Sequence, residues 1–232
     1  MLKYVLYSFC KSRKLFFACR SYLFRHRRDC LNKTVHPVHR LDRKTSGIMV
    51  FALDSESNSA MQAAFRDRQV CKKYLALVRG FTPPNDTINY DLRTDGKLQS
   101  AVTSYRTLQH FEVPVPLGKH DTSRYSLVEV SPETGRFHQI RKHFGHISHP
   151  VIGDIEHGCN KQNNMFRKKW ASSTMYLHAC EISFRHPSSG QEMHLIAEYR
   201  PEFQRMLDVL NELNMVSDSG TIIDITPPSA TT

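Results

Sequence analysis

The sequence predicts an α+β domain with a central, mixed but mostly antiparallel sheet and flanking helices. Apolar runs of strand length outnumber helical segments, and the helical segments fall at irregular intervals along the chain. Of the 232 residues, 40% are hydrophobic, which is enough to form a substantial core. No apolar run approaches the roughly 20 residues of a membrane-spanning helix. The sequence contains no internal repeat, which excludes solenoids and fibres.

Strands are predicted where short apolar runs are bounded by turn residues. Six segments fit this description: residues 47–53, 71–80, 101–108, 124–131, 177–185 and 192–198. Between the second and third of these, residues 83–86 read PPND and are predicted to form a loop.

Helical spacing of apolar residues appears in three segments. Residues 55–68 carry an apolar face and follow Asp54, which can cap the first turn. Residues 137–147 follow a Thr-Gly pair and form the second predicted helix. The last helix begins at Pro201, because proline is favoured at the first helical position.

One folded domain is predicted over residues 36–215. Residues 1–35 are basic and lack a clean period, so they form an atypical segment: an extension, or a truncated or frame-shifted start. Residues 216–232 are rich in Ser, Thr, Asp and Pro, which is typical of disorder. The six cysteines form no C-x-x-C pair, a pattern typical of reduced thiols in an intracellular protein. We therefore expect a cytoplasmic location.

The net charge of +10 predicts a polyanionic partner, and nucleic acid is the usual one. This charge is unevenly distributed, since residues 1–40 carry +9 and the remainder carries +1. Beyond residue 40, recognition of a nucleic acid must therefore depend on locally placed cations rather than on overall charge.

The first candidate for chemistry is residues 39–47, which read HRLDRKTSG. Asp42 is the only acid in this segment, and the surrounding cations favour its ionised form. An ionised aspartate at the rim of a sheet can act as a nucleophile or a base, while the cations can hold phosphates. The alternative is a solvated, charged turn in which Asp42 makes only local hydrogen bonds.

The second candidate is residues 135–143, which read GRFHQIRKH. On a helix, Arg141 would point towards the apolar stripe, where an unpaired guanidinium is very costly. We therefore expect it to pair with an anion, and Asp42 is the nearest attractive one in the sequence. Alternatively, Arg141 extends to water or pairs with a backbone carbonyl.

The third candidate is Tyr74, which shares a strand face with Ala76 and Val78. Such a ring usually belongs to the core, but it could offer a stacking surface for a base and a phenol for proton transfer. Five histidines between residues 138 and 157 lack the H-E-x-x-H spacing, so we predict no metal.

Together these segments resemble the motifs of the RluA-type pseudouridine synthase family, H-R-L-D-x-x-T-S-G, K-x-Y-x-A-x-V-x-G and G-R-x-H-Q-I-R-x-H. They occur in the family's order, and the resemblance spans residues 36–210. It implies the pseudouridine synthase fold with an active-site cleft, and isomerisation of an RNA uridine after base flipping, without a cofactor. Residues 1–35 show no match to the strands that ordinarily precede the catalytic loop in this family, so we expect these strands to be missing or replaced.

The resemblance also implies residue roles. Asp42 is expected to be the catalytic aspartate, with Arg141 as its basic partner and Tyr74 packing on the target uracil. His39, Leu41 and Ile140 are expected to shape the pocket. Arg40 is expected to enter the RNA stack where the uridine leaves. The expected RNA-binding residues are Arg40, Arg43, Lys44, Lys72, Lys73, Arg136 and Lys142.

The expected partner is tRNA or another structured RNA, bound by a monomer without metal, cofactor or membrane. Residues 101–106, 122–125 and 154–158 resemble the branch of the family that acts on a T-stem uridine of tRNA. Two alternatives stay open: a synthase acting on rRNA or another tRNA site, and a catalytically impaired RNA-binding remnant. Whether Asp42 acts as nucleophile or base also stays open.

Overall fold

The computed structural model describes residues 35–215, which form eleven strands and four helices. The strands are β1 (His36–Pro37), β2 (Ser46–Gly47), β3 (Phe51–Ala52), β4 (Cys71–Arg79), β5 (Asn85–Asn89), β6 (Leu92–Thr94), β7 (Lys97–Gln99), β8 (Val102–Val113), β9 (Ser123–Pro132), β10 (Leu177–Arg185) and β11 (Glu192–Ile196). The helices are α1 (Ser55–Arg66), α2 (Gln139–His146), α3 (Asn160–Trp170) and α4 (Pro201–Glu212). Apart from Val35, the predictions for residues 1–35 and 216–232 lie outside the described residues.

The main sheet has the strand order β11-β10-β4-β9-β8-β5, with every neighbouring pair antiparallel. The short strand β2 adds a parallel pairing to β10, so the predicted mixed, mostly antiparallel sheet is confirmed. The pairs β1–β3 and β6–β7 form two small separate ribbons. No helix among residues 35–215 is long and apolar enough to cross a membrane.

Helices cover both faces of the sheet. Successive residues of a strand point to opposite faces, and in the centre of β4 both faces are buried. Leu75 and Leu77 belong to the core cluster formed with α3 and α4. Ala76 and Val78 belong to the cluster formed with α2, against which Tyr74 also packs. Tyr74 and α2 therefore share a face of the sheet, and this arrangement positions the site.

The predicted helix starts are largely confirmed. Asp54 caps α1 by accepting a hydrogen bond from the Ser57 backbone N–H at 2.7 Å. Helix α4 begins at Pro201 as predicted. Helix α2 begins at Gln139 rather than at residue 137, because His138 has a φ of 56°, in the left-handed region, and cannot continue a right-handed helix.

The predicted strand at residues 47–53 is instead divided into β2 and β3. Gly47 ends β2 with a φ of 110°, and a Cβ at this position would lie 2.0 Å from the Ala179 carbonyl oxygen. Only glycine permits β10 to approach so closely and the chain to turn away immediately afterwards. The structure therefore explains why the first motif ends in a glycine.

Five elements were not predicted: β1, α3, β5, β6 and β7. Helix α3 has the sequence NKQNNMFRKKW, in which polar residues hide the helical spacing, and it is anchored by the buried ring of Phe166. Strand β5 begins within the predicted loop, because pairing with β8 overrides its polar composition.

The buried His178 is expected to make the stability of the fold sensitive to acid. Its Nδ1 lies 2.8 Å from Ser46 Oγ, and burial lowers its pKa from 6.5 to about 4. Between these two values the unfolded chain binds a proton that the folded chain does not. We therefore expect this contribution to be fully present above pH 6.5 and to fall by about 3 kcal/mol as the pH decreases to 4.

Urea denaturation at several pH values between 7.5 and 4 checks this expectation. Burial also lowers the pKa of His39 to about 4, so His178→Gln is expected to remove only part of the pH dependence. An unchanged pH dependence in His178→Gln would contradict the assignment to His178.

Candidate active site

A cleft of about 110 Å³ opens where the loop after β1, strands β4 and β9 and the start of α2 meet. It brings together seven of the thirteen site residues predicted from the sequence. They are Arg40, Leu41, Asp42, Lys72, Tyr74, Arg136 and Ile140. Arg141 does not line the cleft itself, but it donates a hydrogen bond to Asp42, which does.

The loop that carries Asp42 is held at both ends. Within it, the Thr45 N–H donates to the Asp42 carbonyl at 2.9 Å. His39 accepts a hydrogen bond from the Val50 N–H at 3.0 Å and stacks on Phe65. His39 therefore anchors the loop to α1 and does not line the cleft.

Arg141 joins two carboxylates. Its Nη1 donates to Asp42 Oδ2 at 3.2 Å, so the expected pairing with Asp42 is present. Its Nε and Nη2 donate to the two oxygens of Asp154, each at 2.7 Å. The expectation that Asp42 is the nearest anion is therefore wrong, since Asp154 binds the guanidinium more closely and in a bidentate manner.

Asp154 is itself firmly positioned. Its Oδ1 accepts hydrogen bonds from the backbone N–H groups of Glu156 and His157 at 2.9 and 3.2 Å. Burial alone would raise the pKa of Asp154, but the hydrogen bonds from Arg141 and from these two N–H groups lower it. Asp154 therefore stays ionised and fixes the guanidinium that contacts Asp42.

Tyr74 presents its ring to the cleft from β4. Burial raises the pKa of its phenol, and the negative charge of Asp42 raises it further. The phenol is therefore neutral at physiological pH and can donate a proton or a hydrogen bond.

His138 was not assigned a role from the sequence, although it occupies a motif position. Its Nε2 lies 4.0 Å from Asp42 Oδ1, and its Nδ1 lies 2.9 Å from His157 Nε2. Burial lowers the pKa of His138 despite the nearby carboxylate of Asp42. The structure thus places an imidazole between Asp42 and the loop that carries His157.

His138, Glu156 and His157 offer ligand atoms that lie within 4.8 Å of one another, as a metal would require. Two observations favour a hydrogen-bonded arrangement instead. The two imidazole nitrogens are at hydrogen-bond distance, and Arg141 Nη2 lies 3.7 Å from Glu156 Oε1, where its positive charge opposes a second cation. The absence of a metal stays a prediction.

Gln139 fixes the geometry of the turn before α2 through hydrogen bonds of its side-chain amide. Its Oε1 accepts from Thr134 Oγ1 and the Arg136 N–H at 2.7 and 2.9 Å. Its Nε2 donates to the Val102 carbonyl and Thr103 Oγ1, both at 2.9 Å. The buried amide thereby ties the start of α2 to β8.

The remaining predicted cations lie in different places. Lys142 Nζ lies 5.4 Å from the ring centroid of Phe137, outside the cleft. Lys73 points away from the cleft and pairs with Glu181 at 3.2 Å. Neither Arg43 nor Lys44 lines the cleft. A basic rim therefore surrounds Asp42, but it is built from fewer cations than the sequence suggested.

A second cleft of about 870 Å³ lies at the far end of β4, beside Arg79 and the start of α3. Among the described residues that line it, Asp121 is the only one with a carboxylate. Although this cleft is larger, it lacks a carboxylate held by a buried cation, so the smaller cleft is the better candidate for chemistry.

Comparison with known proteins identifies the family. A family model described as RNA pseudouridylate synthase matches residues 10–146. A tRNA pseudouridine synthase C of Vibrio parahaemolyticus is 39% identical over 191 residues, covering 77% of this chain and 78% of that protein. Another of Vibrio cholerae is 38% identical over 192 residues, covering 78% and 79%.

Solved structures agree in fold. The human RNA pseudouridylate synthase domain-containing protein 1 matches with a TM-score of 0.64 and 21% identity, covering 89% of this chain and 95% of that one. The human domain-containing protein 4 matches with a TM-score of 0.60 and 25% identity, covering 77% and 76%. The chain belongs to the RNA pseudouridylate synthase family, as the motifs predicted.

Proposed function

We propose that this protein isomerises a T-stem uridine of tRNA to pseudouridine, with Asp42 as the essential catalytic group. The observation that carries the proposal is a partly exposed Asp42 held by the buried Arg141 at 3.2 Å, in a cleft that Tyr74 also lines. The relatives named tRNA pseudouridine synthase C support tRNA as the substrate. The T-stem position rests on the resemblance of residues 101–106, 122–125 and 154–158.

The proposed reaction can take place in this cleft without a cofactor. The bond from uracil N1 to ribose C1′ breaks, the uracil turns, and C5 forms the new bond to C1′. C5 loses a proton and N1 gains one, so atoms and electrons balance without a cofactor. Because these atoms are hidden in an RNA stem, the uridine must first flip into the cleft.

Each contact then has a role. Asp42 attacks the ribose or the uracil, or removes a sugar proton, and each of these steps needs a negatively charged oxygen. Arg141 orients that oxygen and stabilises its charge. Tyr74 packs on the flipped uracil, and its neutral phenol can take part in proton transfer at C5. Arg40, Lys72 and Arg136 lie at the cleft, where they can contact RNA phosphates.

We further expect the enzyme to act as a cytoplasmic monomer without metal or cofactor, with residues 36–215 as its catalytic domain. Expected pocket and RNA contacts of His39, Leu41, Ile140, Arg43, Lys44 and Lys73 stay predictions, although the structure places His39 and Lys73 away from the cleft.

The proposal is tested with unmodified tRNA transcripts and carbodiimide-based detection of pseudouridine. We expect one modified position in the T-stem, and no product when that uridine is replaced by cytidine. Pseudouridine in rRNA alone would overturn the substrate. Salt-sensitive tRNA binding by a folded protein that forms no product would instead support the RNA-binding remnant.

A further inference from the structure

Phe137 exposes a large aromatic ring beside the candidate active site. It exposes 53% of its surface, whereas Phe111, Phe144 and Phe166 are almost fully buried. Ile155, in the loop between Asp154 and Glu156, is 57% exposed. Large apolar side chains exposed at a functional cleft often mark a binding surface.

The ring of Phe137 lies one side chain away from the catalytic carboxylate. It stacks on the imidazole of His138, with ring centroids 3.7 Å apart and an interplanar angle of 22°. His138 Nε2 in turn lies 4.0 Å from Asp42 Oδ1. His138 lines the cleft and Phe137 stacks on it, so the ring of Phe137 lies directly beside the cleft.

The charges around the ring suit a nucleotide. Lys142 Nζ lies 5.4 Å from the ring centroid, and the neighbouring Arg136 lines the cleft. The carboxylate of Glu156 is also nearby, but it faces the Arg141 guanidinium at 3.7 Å and His138 at 3.4 Å. An aromatic face flanked by cations is the pattern by which proteins hold unpaired bases together with their phosphates.

We propose that Phe137 is a stacking platform for the base that flanks the flipped uridine, with Lys142 contacting the phosphate of that nucleotide. This inference rests on the proposed function. When the uridine leaves the stem, each of its two neighbours loses a stacking partner. Arg40 is expected to enter the gap, and the ring of Phe137 stacks on one of the two neighbouring bases. Because every base has a π-face, this contact adds affinity without demanding one base identity.

The test compares Phe137→Ala and Phe137→Trp with Ile196→Ala, a control that truncates another exposed apolar side chain, on the edge strand β11. Phe137→Ala is expected to raise the KM for tRNA about 5- to 100-fold and to change kcat less than about threefold. Phe137→Trp is expected to restore KM, and Ile196→Ala to leave it unchanged. A Phe137→Ala KM within about twofold of the parent would overturn the inference.

A second readout does not depend on turnover. In two tRNA transcripts, 2-aminopurine replaces the base on the 5′ or the 3′ side of the target uridine, and each is bound to protein carrying Asp42→Asn. In complex with the Asp42→Asn protein, one of the two probes should have low fluorescence, because the 2-aminopurine base stacks on Phe137. In complex with the Asp42→Asn, Phe137→Ala double variant, the fluorescence of that probe should be several-fold higher. Equal fluorescence of both probes with and without Phe137 would refute stacking. Failure of the parent to form pseudouridine would instead refute the proposed function.

Discussion

Replacing Asp42 with asparagine is expected to abolish pseudouridine formation, lowering turnover by at least roughly 10⁴-fold. Asparagine has nearly the same shape and retains a side-chain oxygen that can accept the hydrogen bond now made by Arg141 Nη1. It lacks the negative charge that a nucleophile or a base needs. The expected loss is therefore in chemistry, while the fold and the affinity for tRNA should persist.

Single-turnover assays with saturating enzyme measure the chemical step, and filter binding measures affinity separately. Asp121→Asn is a matched control, because Asp121 lines the larger cleft at the other end of β4. We expect this control to retain full activity. Turnover by Asp42→Asn above about 1% of the parent rate, with the variant correctly folded, is incompatible with an essential Asp42.

Asp42, Tyr74 and Ile140 were assigned to one site because each lies in a motif of the family that the sequence resembles. Alternation along β4 placed Tyr74 on the face shared with Ala76 and Val78. Helical spacing turned Arg141 inward and so predicted that an anion must meet it. These last two inferences use only local geometry, and local geometry is what a sequence encodes most directly.

The partner that binds Arg141 most closely could not be predicted in the same way. Asp154 is close to Arg141 because an isolated bridge between Val78 and Val151 pins its segment beside β4. The periodicity of apolar residues in a sequence does not predict such a contact between a strand and a loop. The need for an anion at Arg141 was a usable signal, but it led to Asp42, the lone carboxylate of the cation-rich loop.

His138 illustrates a second reason why parts of the site could not be predicted from the sequence. The prediction of a helix over residues 137–147 places His138 inside the helix, whereas its left-handed backbone delays the helix start to Gln139 and the imidazole lies near Asp42. Strained positions of this kind depend on the surrounding contacts. Here the hydrogen bonds of Gln139 to Thr134 and Thr103 fix the turn.

Replacing Asp154 with asparagine is expected to destabilise the fold by about 3–5 kcal/mol and to reduce turnover by roughly 10²-fold or more. Arg141 is 5% exposed and Asp154 is 1% exposed, so the variant leaves a buried guanidinium without its bidentate partner. A guanidinium drawn towards water would no longer hold Asp42. Urea denaturation and single-turnover assays measure the two losses.

A double substitution separates charge from packing. If the destabilisation comes from an unpaired buried charge, combining Arg141→Met with Asp154→Leu should recover much of the stability lost in Asp154→Asn, because both charges of the buried pair are then removed. The double variant should nevertheless stay inactive, since Asp42 has lost its guanidinium. Asp67→Asn, at an exposed pair with Arg66, is the control and should change stability by less than about 0.5 kcal/mol. Stability of Asp154→Asn equal to that of the parent would show that Arg141 does not depend on Asp154. A stable and active double variant would remove Arg141 from the catalytic machinery.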